Sequence, residues 1–208
     1  MKLINLENWN RKEHFEFFSK MRSPYFGIIA EVDCANTYQK CKDENTSFFA
    51  TYLHRSMTAV NAIKEFKFRI IDGAVYELDK INAGATISRE DGTFGFIYVN
   101  YSEDFLKFEQ ELSKEIDEVK NSTGLRLNDD NIKIDLIRHS TLPWTNFTSI
   151  LHPTNLDNKD SVPKITFGKF KEQDKRKLMP VSIEAHHGLV DGFHVSEYFK
   201  KFQELLDQ

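Results

Sequence analysis

Apolar residues recur at helical spacing in four stretches: Phe15, Phe18 and Met21; Phe49, Tyr52, Leu53, Val60 and Ile63, with Ser56 in the same series; Phe105, Phe108, Leu112, Ile116 and Val119; and Val195, Tyr198, Phe199, Phe202 and Leu206. The spacing predicts a short N-terminal helix and three longer ones. Between them, residues 26–32, 66–71, 74–78, 94–99, 132–137, 165–170 and 178–185 have the alternation or β-rich composition of strands. Asp72-Gly73 separates two of these runs and is a tight-hairpin signal. Strands that come in consecutive groups, with few helices interposed, predict a mixed or largely antiparallel sheet with helices packed on it, in an α/β or α+β class of two layers.

Composition narrows what such a domain can do. At 208 residues, without internal repeats or a Pro/Gly-rich linker, the chain is expected to form one domain over 1–208. Its net charge of −4, with lysines interleaved among acids, gives no electrostatic footprint for nucleic acid. The N-terminus lacks the apolar core of a signal peptide, and no apolar run approaches the ~20 residues that cross a bilayer, so a cytoplasmic protein is expected. Cys34 and Cys41 are too few for a disulfide framework or a zinc site and read as ordinary thiols, with no metal expected.

The stretch EAHHGLVDGFHV, from Glu184 to Val195, falls where the last strand gives way to the last helix. An imidazole takes and returns a proton near neutral pH, so a histidine held at a strand end is suited to general-base chemistry. Asp191 is close enough in sequence to brace the turn. A histidine near an aspartate is also an ordinary packing pair, so spacing alone leaves both readings open.

The longer string HHGLVDGFHV resembles the HHxxxDGFHV signature of the chloramphenicol acetyltransferases, within the wider group of CoA-dependent acyltransferases. WNRKEHFEFF from Trp9, NAIKEFKFRIIDG from Asn61, STLPWTNF from Ser140, ITFGKF from Ile165 and LMPVSIEAHH from Leu178 resemble further segments of that family, so the likeness spans the chain. It implies a two-layer α/β sandwich, a mixed sheet with helices packed on one face, and a homotrimer with sites at subunit interfaces. It implies acetyl transfer from acetyl-CoA to a small-molecule hydroxyl, chloramphenicol above all. By the same likeness His187 is the general base and His186 its structural neighbour. Ser140 stabilises the oxyanion, and Asp191 pairs with Arg11 to shape the site. Thr166 orients substrate through a bridging water, and Lys169 lies near the CoA 3′-phosphate. Phe17, Phe18 and Phe26 are expected to line the acceptor pocket, contributed by the neighbouring subunit.

The resemblance thins at Ile150, Leu151, His152, Pro153 and Thr154, which replace the family's FDLNV, at Glu184 in place of a common glutamine, and at Arg22 and Pro24. An unpaired buried charge costs several kcal/mol, so either the new charges pair with each other or the acceptor differs from chloramphenicol. A different acceptor, or a non-catalytic module that binds CoA or a small molecule, are the alternative functions.

Overall fold

The structure is a computed structural model and describes residues 1–127, 133–154 and 160–208. Its main sheet has seven strands. β2 (Tyr25–Asp33), β10 (Arg176–His186), β8 (Lys164–Gly168), β7 (Leu136–Leu142), β5 (Asn82–Ser88) and β6 (Phe94–Val99) lie side by side in that order, and β9 (Lys171–Gln173) pairs with β10. β7 runs parallel to β5 and to β8, while every other pairing in this sheet is antiparallel, so the sheet is mixed. A second sheet of β1 (Lys2–Leu3), β4 (Ala74–Glu77) and β3 (Phe68–Ile71) was not predicted as a separate unit. Its β3–β4 hairpin turns at Asp72 and Gly73, whose positive φ of 49° and 82° make it the primed turn that Asp-Gly favours.

Two faces of the main sheet follow from period-two alternation. Met179, Val181, Ile183 and Ala185 of β10, with Ile165 and Phe167 of β8, are buried in the hydrophobic core. Over that face pack α3 (Phe48–Ala62), α4 (Phe105–Lys120) and α5 (Gly192–Leu206), each contributing a buried stripe such as Val195, Tyr198, Phe202 and Leu206. The alternate residues, Ser182, Glu184 and His186 on β10, Lys164 and Thr166 on β8 and Arg138 and Ser140 on β7, point to the other face.

The remaining helices are α1 (Lys12–Phe18) and α2 (Ala35–Asp43). α2 was not predicted, because it buries only Thr37 and Cys41 and so shows no apolar stripe. β5 was also missed: NAGATIS is made of small residues, and Asn82, Ala83, Gly84 and Ala85 are all buried, which erases alternation. The run expected over 132–137 forms its strand later, as β7; Ile132 lies outside the described residues. Phe66 belongs to a 3₁₀ turn rather than to β3. Both cysteines are buried free thiols. Among the described residues no helix is long and apolar enough to cross a membrane.

Candidate active site

The turn after β10 is wound tightly by its own backbone. Leu189 and Val190 N–H both donate to the His186 carbonyl, at 2.9 and 3.0 Å, and Gly188 N–H donates to His186 Nδ1 at 3.1 Å. Gly188 is tightly enclosed, since a Cβ there would stand 3.1 Å from the Phe15 Cα of α1 and a backbone shift of a few tenths of an ångström would be needed to admit it. His186 is therefore a buried structural histidine, and burial first, then the neighbouring His187, pushes its pKa down to about 4.

His187 has a different environment. Its backbone N–H donates to the Pro24 carbonyl at 2.8 Å, and its Nδ1 lies 3.3 Å from the Val190 carbonyl. A carbonyl can only accept, so Nδ1 carries the hydrogen and the neutral ring keeps its lone pair on Nε2. The ring stacks on Phe18, with centroids 4.1 Å apart at 17°, and against Phe26 at 4.4 Å. The two phenylalanines fix the plane of the imidazole. Both belong to the same chain as the His187 they hold. The reason is local: Phe26 stands opposite Ala185 in the β2–β10 ladder, and α1 ends just before β2. Phe17 packs edge-on against Phe18 and is 60% exposed.

Arg11, at the start of α1, clamps the turn at both ends. Its Nη1 donates to Asp191 Oδ2 at 2.5 Å and its Nη2 to the His187 carbonyl at 3.2 Å. Asp191 also caps α5, accepting from Phe193 N–H at 3.0 Å, while His194 closes the capping box by accepting from Asp191 N–H at 3.1 Å. Burial pushes the Asp191 carboxyl up, but the Arg11 hydrogen bond, the nearby charges of His194 and Arg11 and the Phe193 amide together hold it below the ordinary carboxylate value. His194, whose Nε2 lies 3.6 Å from Glu65, was not singled out in the sequence, although its third position after the cap was the available signal.

Ser140, Thr166 and Ser182 stand on one rung of the sheet, paired across β7, β8 and β10. His187 lies beyond the end of β10, five positions on from Ser182, and β10 is two strands from β7. At ~3.3 Å per residue and ~4.8 Å per strand, His187 and Ser140 of one chain are on the order of 15–20 Å apart. The predicted residues thus form two groups: Arg11, Phe18, Phe26, His187 and Asp191 in one, Ser140 and Thr166 in the other.

Ser140 opens onto a cavity of about 510 Å³, lined also by Thr86, Phe94, Phe96, His152 and Lys164. The only hydrogen bond of its Oγ among the described residues is a 3.5 Å contact with Thr86 Oγ1, so its hydroxyl is free to donate elsewhere. Thr86 also lines a second cavity of about 370 Å³, among Phe48, Phe49, Tyr52, Lys169 and Phe170. Lys169 is exposed and lines this cavity. Thr86 belongs to the strand that alternation missed.

Thr166 is fully buried, and its Oγ1 is 2.8 Å from His152 Nε2. His152 Nδ1 lies 3.4 Å from Glu184 Oε2, and Lys164 donates to Glu184 Oε1 at 2.6 Å. Burial pushes Glu184 up, but the hydrogen bonds and charges of His152 and Lys164 outweigh it and hold the carboxyl below its ordinary value. Glu184 is therefore paired with His152 and Lys164, while Arg22, the other new charge, is exposed, so the two do not pair with each other. Among the described residues no group of three or more His, Cys, Asp or Glu side chains could hold a metal.

Residues 1–203 match the family model described as chloramphenicol acetyltransferase. The chain is similar to chloramphenicol acetyltransferases of Clostridium perfringens, at 30% identity over 98% of this chain and 93% of the relative, and of Proteus mirabilis, at 29% over 99% and 94%. A solved chloramphenicol acetyltransferase superposes with a TM-score of 0.91 at 33% identity, covering 99% of both chains. A dihydrolipoamide acetyltransferase of Azotobacter vinelandii, with a TM-score of 0.70 at 16% identity over 94% of this chain and 86% of that one, shares the fold.

Proposed function

Since the chain belongs to the chloramphenicol acetyltransferase family and is an acyltransferase, we propose that it transfers acetyl from acetyl-CoA to a small-molecule hydroxyl, with chloramphenicol as the acceptor, in a cytoplasmic homotrimer whose sites each join two chains. The observation that carries this reading is the His187 ring, held by Phe18 and Phe26 with Nδ1 committed to the Val190 carbonyl and Nε2 left as a base.

In this mechanism Nε2 of His187 removes the proton of the acceptor hydroxyl, whose oxygen attacks the thioester carbonyl in a ternary complex. Ser140 Oγ–H donates to the oxyanion of the tetrahedral intermediate. Collapse expels the CoA thiolate, which takes the proton back from the His187 imidazolium. Asp191 moves no proton; with Arg11 it holds the turn. Separation of His187 from Ser140 within one chain supports a site completed by a second copy. So do Phe94 and Leu127, apolar and exposed at 44% and 66%, which line the Ser140 cavity. The meeting of two cavities at Thr86, beside Ser140, supports simultaneous binding of two substrates. Pairing of Lys164, Glu184 and His152 removes the electrostatic objection to an aromatic acceptor.

Thiol release with acetyl-CoA tests the reading. Release that depends on chloramphenicol and yields its acetyl ester is the expected result; no acceptor-dependent release at saturating chloramphenicol would overturn it.

A further inference from the structure

His194 stands where the turn bearing His187 becomes α5, and its ring has a choice of partners. Its Nδ1 is 3.1 Å from the Asp191 backbone nitrogen and 2.9 Å from Asp191 Oδ1. An N–H can only donate and a carboxylate can only accept, so Nδ1 of the neutral ring serves one of them and not the other. With its hydrogen on Nε2, the ring takes the Asp191 N–H and closes the capping box. With its hydrogen on Nδ1, it donates to Oδ1, leaves the Asp191 N–H without that acceptor and competes for a carboxylate already shared between Phe193 N–H and Arg11. The far nitrogen decides between them. His194 Nε2 lies 3.6 Å from Glu65 Oε1, and a carboxylate facing that nitrogen favours the tautomer that carries its hydrogen there. Glu65 belongs to the 3₁₀ turn Lys64–Lys67, whose Phe66 is fully buried and packs on Tyr198 of α5, with ring centroids 5.7 Å apart. Among the described residues His194 is the only ion-pair partner of the Glu65 carboxylate.

At the other end of the series is the base. Asp191 Oδ2 accepts from Arg11 Nη1, and Arg11 Nη2 donates to the His187 carbonyl. Arg11 Nε is buried without a partner, so among the described residues the guanidinium is held only by those two groups. A change in where Asp191 sits therefore reaches the His187 carbonyl through a single side chain. We infer that Glu65 and His194 are positioning residues for the proposed base: Glu65 fixes the tautomer of His194, His194 fixes the Asp191 backbone, and Asp191 passes its position through Arg11 to the His187 turn. No proton travels along the series. Its effect on rate rests on the acetyl-transfer reading; its effect on the His187 ring does not.

Two readouts separate the effects. The histidine rings are followed by nitrogen NMR, and turnover of acetyl-CoA with chloramphenicol is measured, in the wild type, Glu65→Ala, His194→Gln, His194→Leu and the double variant Glu65→Ala/His194→Leu, at a temperature where each is folded. Near neutral pH, His194 of the wild type is expected with its hydrogen on Nε2 and His187 with its hydrogen on Nδ1. Glu65→Ala should give His194 a mixture of tautomers, shift the His187 ring signals and lower kcat about three-fold with both KM values unchanged, the mark of lost geometry rather than lost binding. His194→Leu should lower kcat about ten-fold, and the double variant no further, because Glu65 acts only through His194. His194→Gln, whose side-chain oxygen can accept the Asp191 N–H as a capping-box residue does, should recover to within about three-fold of wild type. A wild-type His194 with a hydrogen on Nδ1 would overturn the assignment, as would ring signals and kcat in Glu65→Ala identical to wild type, or a Glu65→Ala loss that adds in full to that of His194→Leu. A lower thermal midpoint in His194→Leu with His187 signals and kcat unchanged would overturn it too, leaving His194 a helix cap. Should His194→Leu fail to fold, Glu65→Ala and His194→Gln still decide. If the ring signals move as expected but the wild type transfers no acetyl, the acetyl-transfer reading fails and the positioning role stands.

Discussion

The surroundings of His187 and of Ser140 solve opposite problems. His187 is complete within one chain: Phe18 and Phe26 fix its ring plane, Val190 fixes its tautomer, Pro24 anchors its backbone, and Arg11 ties its carbonyl to Asp191. Ser140 is nearly without partners, on an open sheet face whose apolar rim is exposed. A base must keep one nitrogen lone pair aimed while its other contacts are satisfied, and this requires a crowded turn. An oxyanion donor must keep its hydrogen unspent until charge develops, and this requires an uncrowded strand. On the proposed mechanism, HHGLVDG is an active turn because it is a crowded one: the crowding fixes the ring that acts as base.

The largest effect is expected at the complete half. His187→Ala should lower kcat by 10²–10⁴ or more while acetyl-CoA binding, followed by calorimetry, persists. A loss as deep from His186→Ala without unfolding would transfer the base to His186. At the open half, Ser140→Ala should lower kcat by roughly 10²–10³ with both KM values unchanged, because the donated hydrogen bond matters most in the transition state. If the halves meet between chains, two inactive variants should rescue each other. A co-refolded equal mixture of His187→Ala and Ser140→Ala forms intact sites wherever a chain with His187 faces a chain with Ser140, about a quarter of all sites under random closed assembly. Activity that stays at the level of the separate variants would place both residues in one chain's site.

How much of this was legible in the sequence divides along the same line. The centre of the His187 half is local, five residues of turn between a strand and a helix whose periodicities are plain, and Arg11, Phe18 and Phe26 had to be brought from far away, by family resemblance. The Ser140 half depends on strands whose pattern is concealed. β7 places His139 and Thr141 at core positions, where His139 stacks on Phe167 and Thr141 bonds Tyr52, so its alternation looks polar throughout. β5 is buried on both faces and built of small residues; Gly84 already has the Leu136 side chain 3.2 Å from where its Cβ would be. Thr86 was invisible for that reason. The departures at His152 and Glu184 were visible as exceptions, but their pairing was not, because it links a loop to two strands.

Energetic coupling probes the clamp that distinguishes the halves. Arg11 and Asp191 have side-chain exposures of 9% and 29%. Removing either strands the other charge, at ~3–5 kcal/mol for a fully buried pair and less here in proportion to the exposure of Asp191. Arg11→Ala and Asp191→Ala should each lower the thermal midpoint and kcat, and the double variant should lose less than the sum. Additive losses would mean that the pair does not support the turn.

The smallest effect is a pH dependence that belongs to His186 rather than to His187. Burial lowers the folded-state pKa of His186 to about 4, and of the fully buried His139 to about 4, from the ordinary histidine value near 6.5. Between those values the unfolded chain binds protons that the folded chain refuses, so stability rises with pH across that interval. Stability from these two groups is fully present above about pH 6.5 and is lost as the pH falls toward 4, most of it before carboxylates such as Asp191, whose folded pKa is depressed below 3.8, lose theirs. His186→Asn separates the two histidines, because an asparagine oxygen can accept the Gly188 N–H in place of Nδ1 and cannot be protonated in this range. The variant should lose some stability at neutral pH from the smaller side chain, yet its thermal midpoint should fall less than that of the wild type between pH 7 and pH 5. A slope equal to the wild type's would assign the acid sensitivity to His139 and remove His186 from the turn's energetics. A shallower slope would show that the turn presenting the base is held by a histidine that must stay neutral.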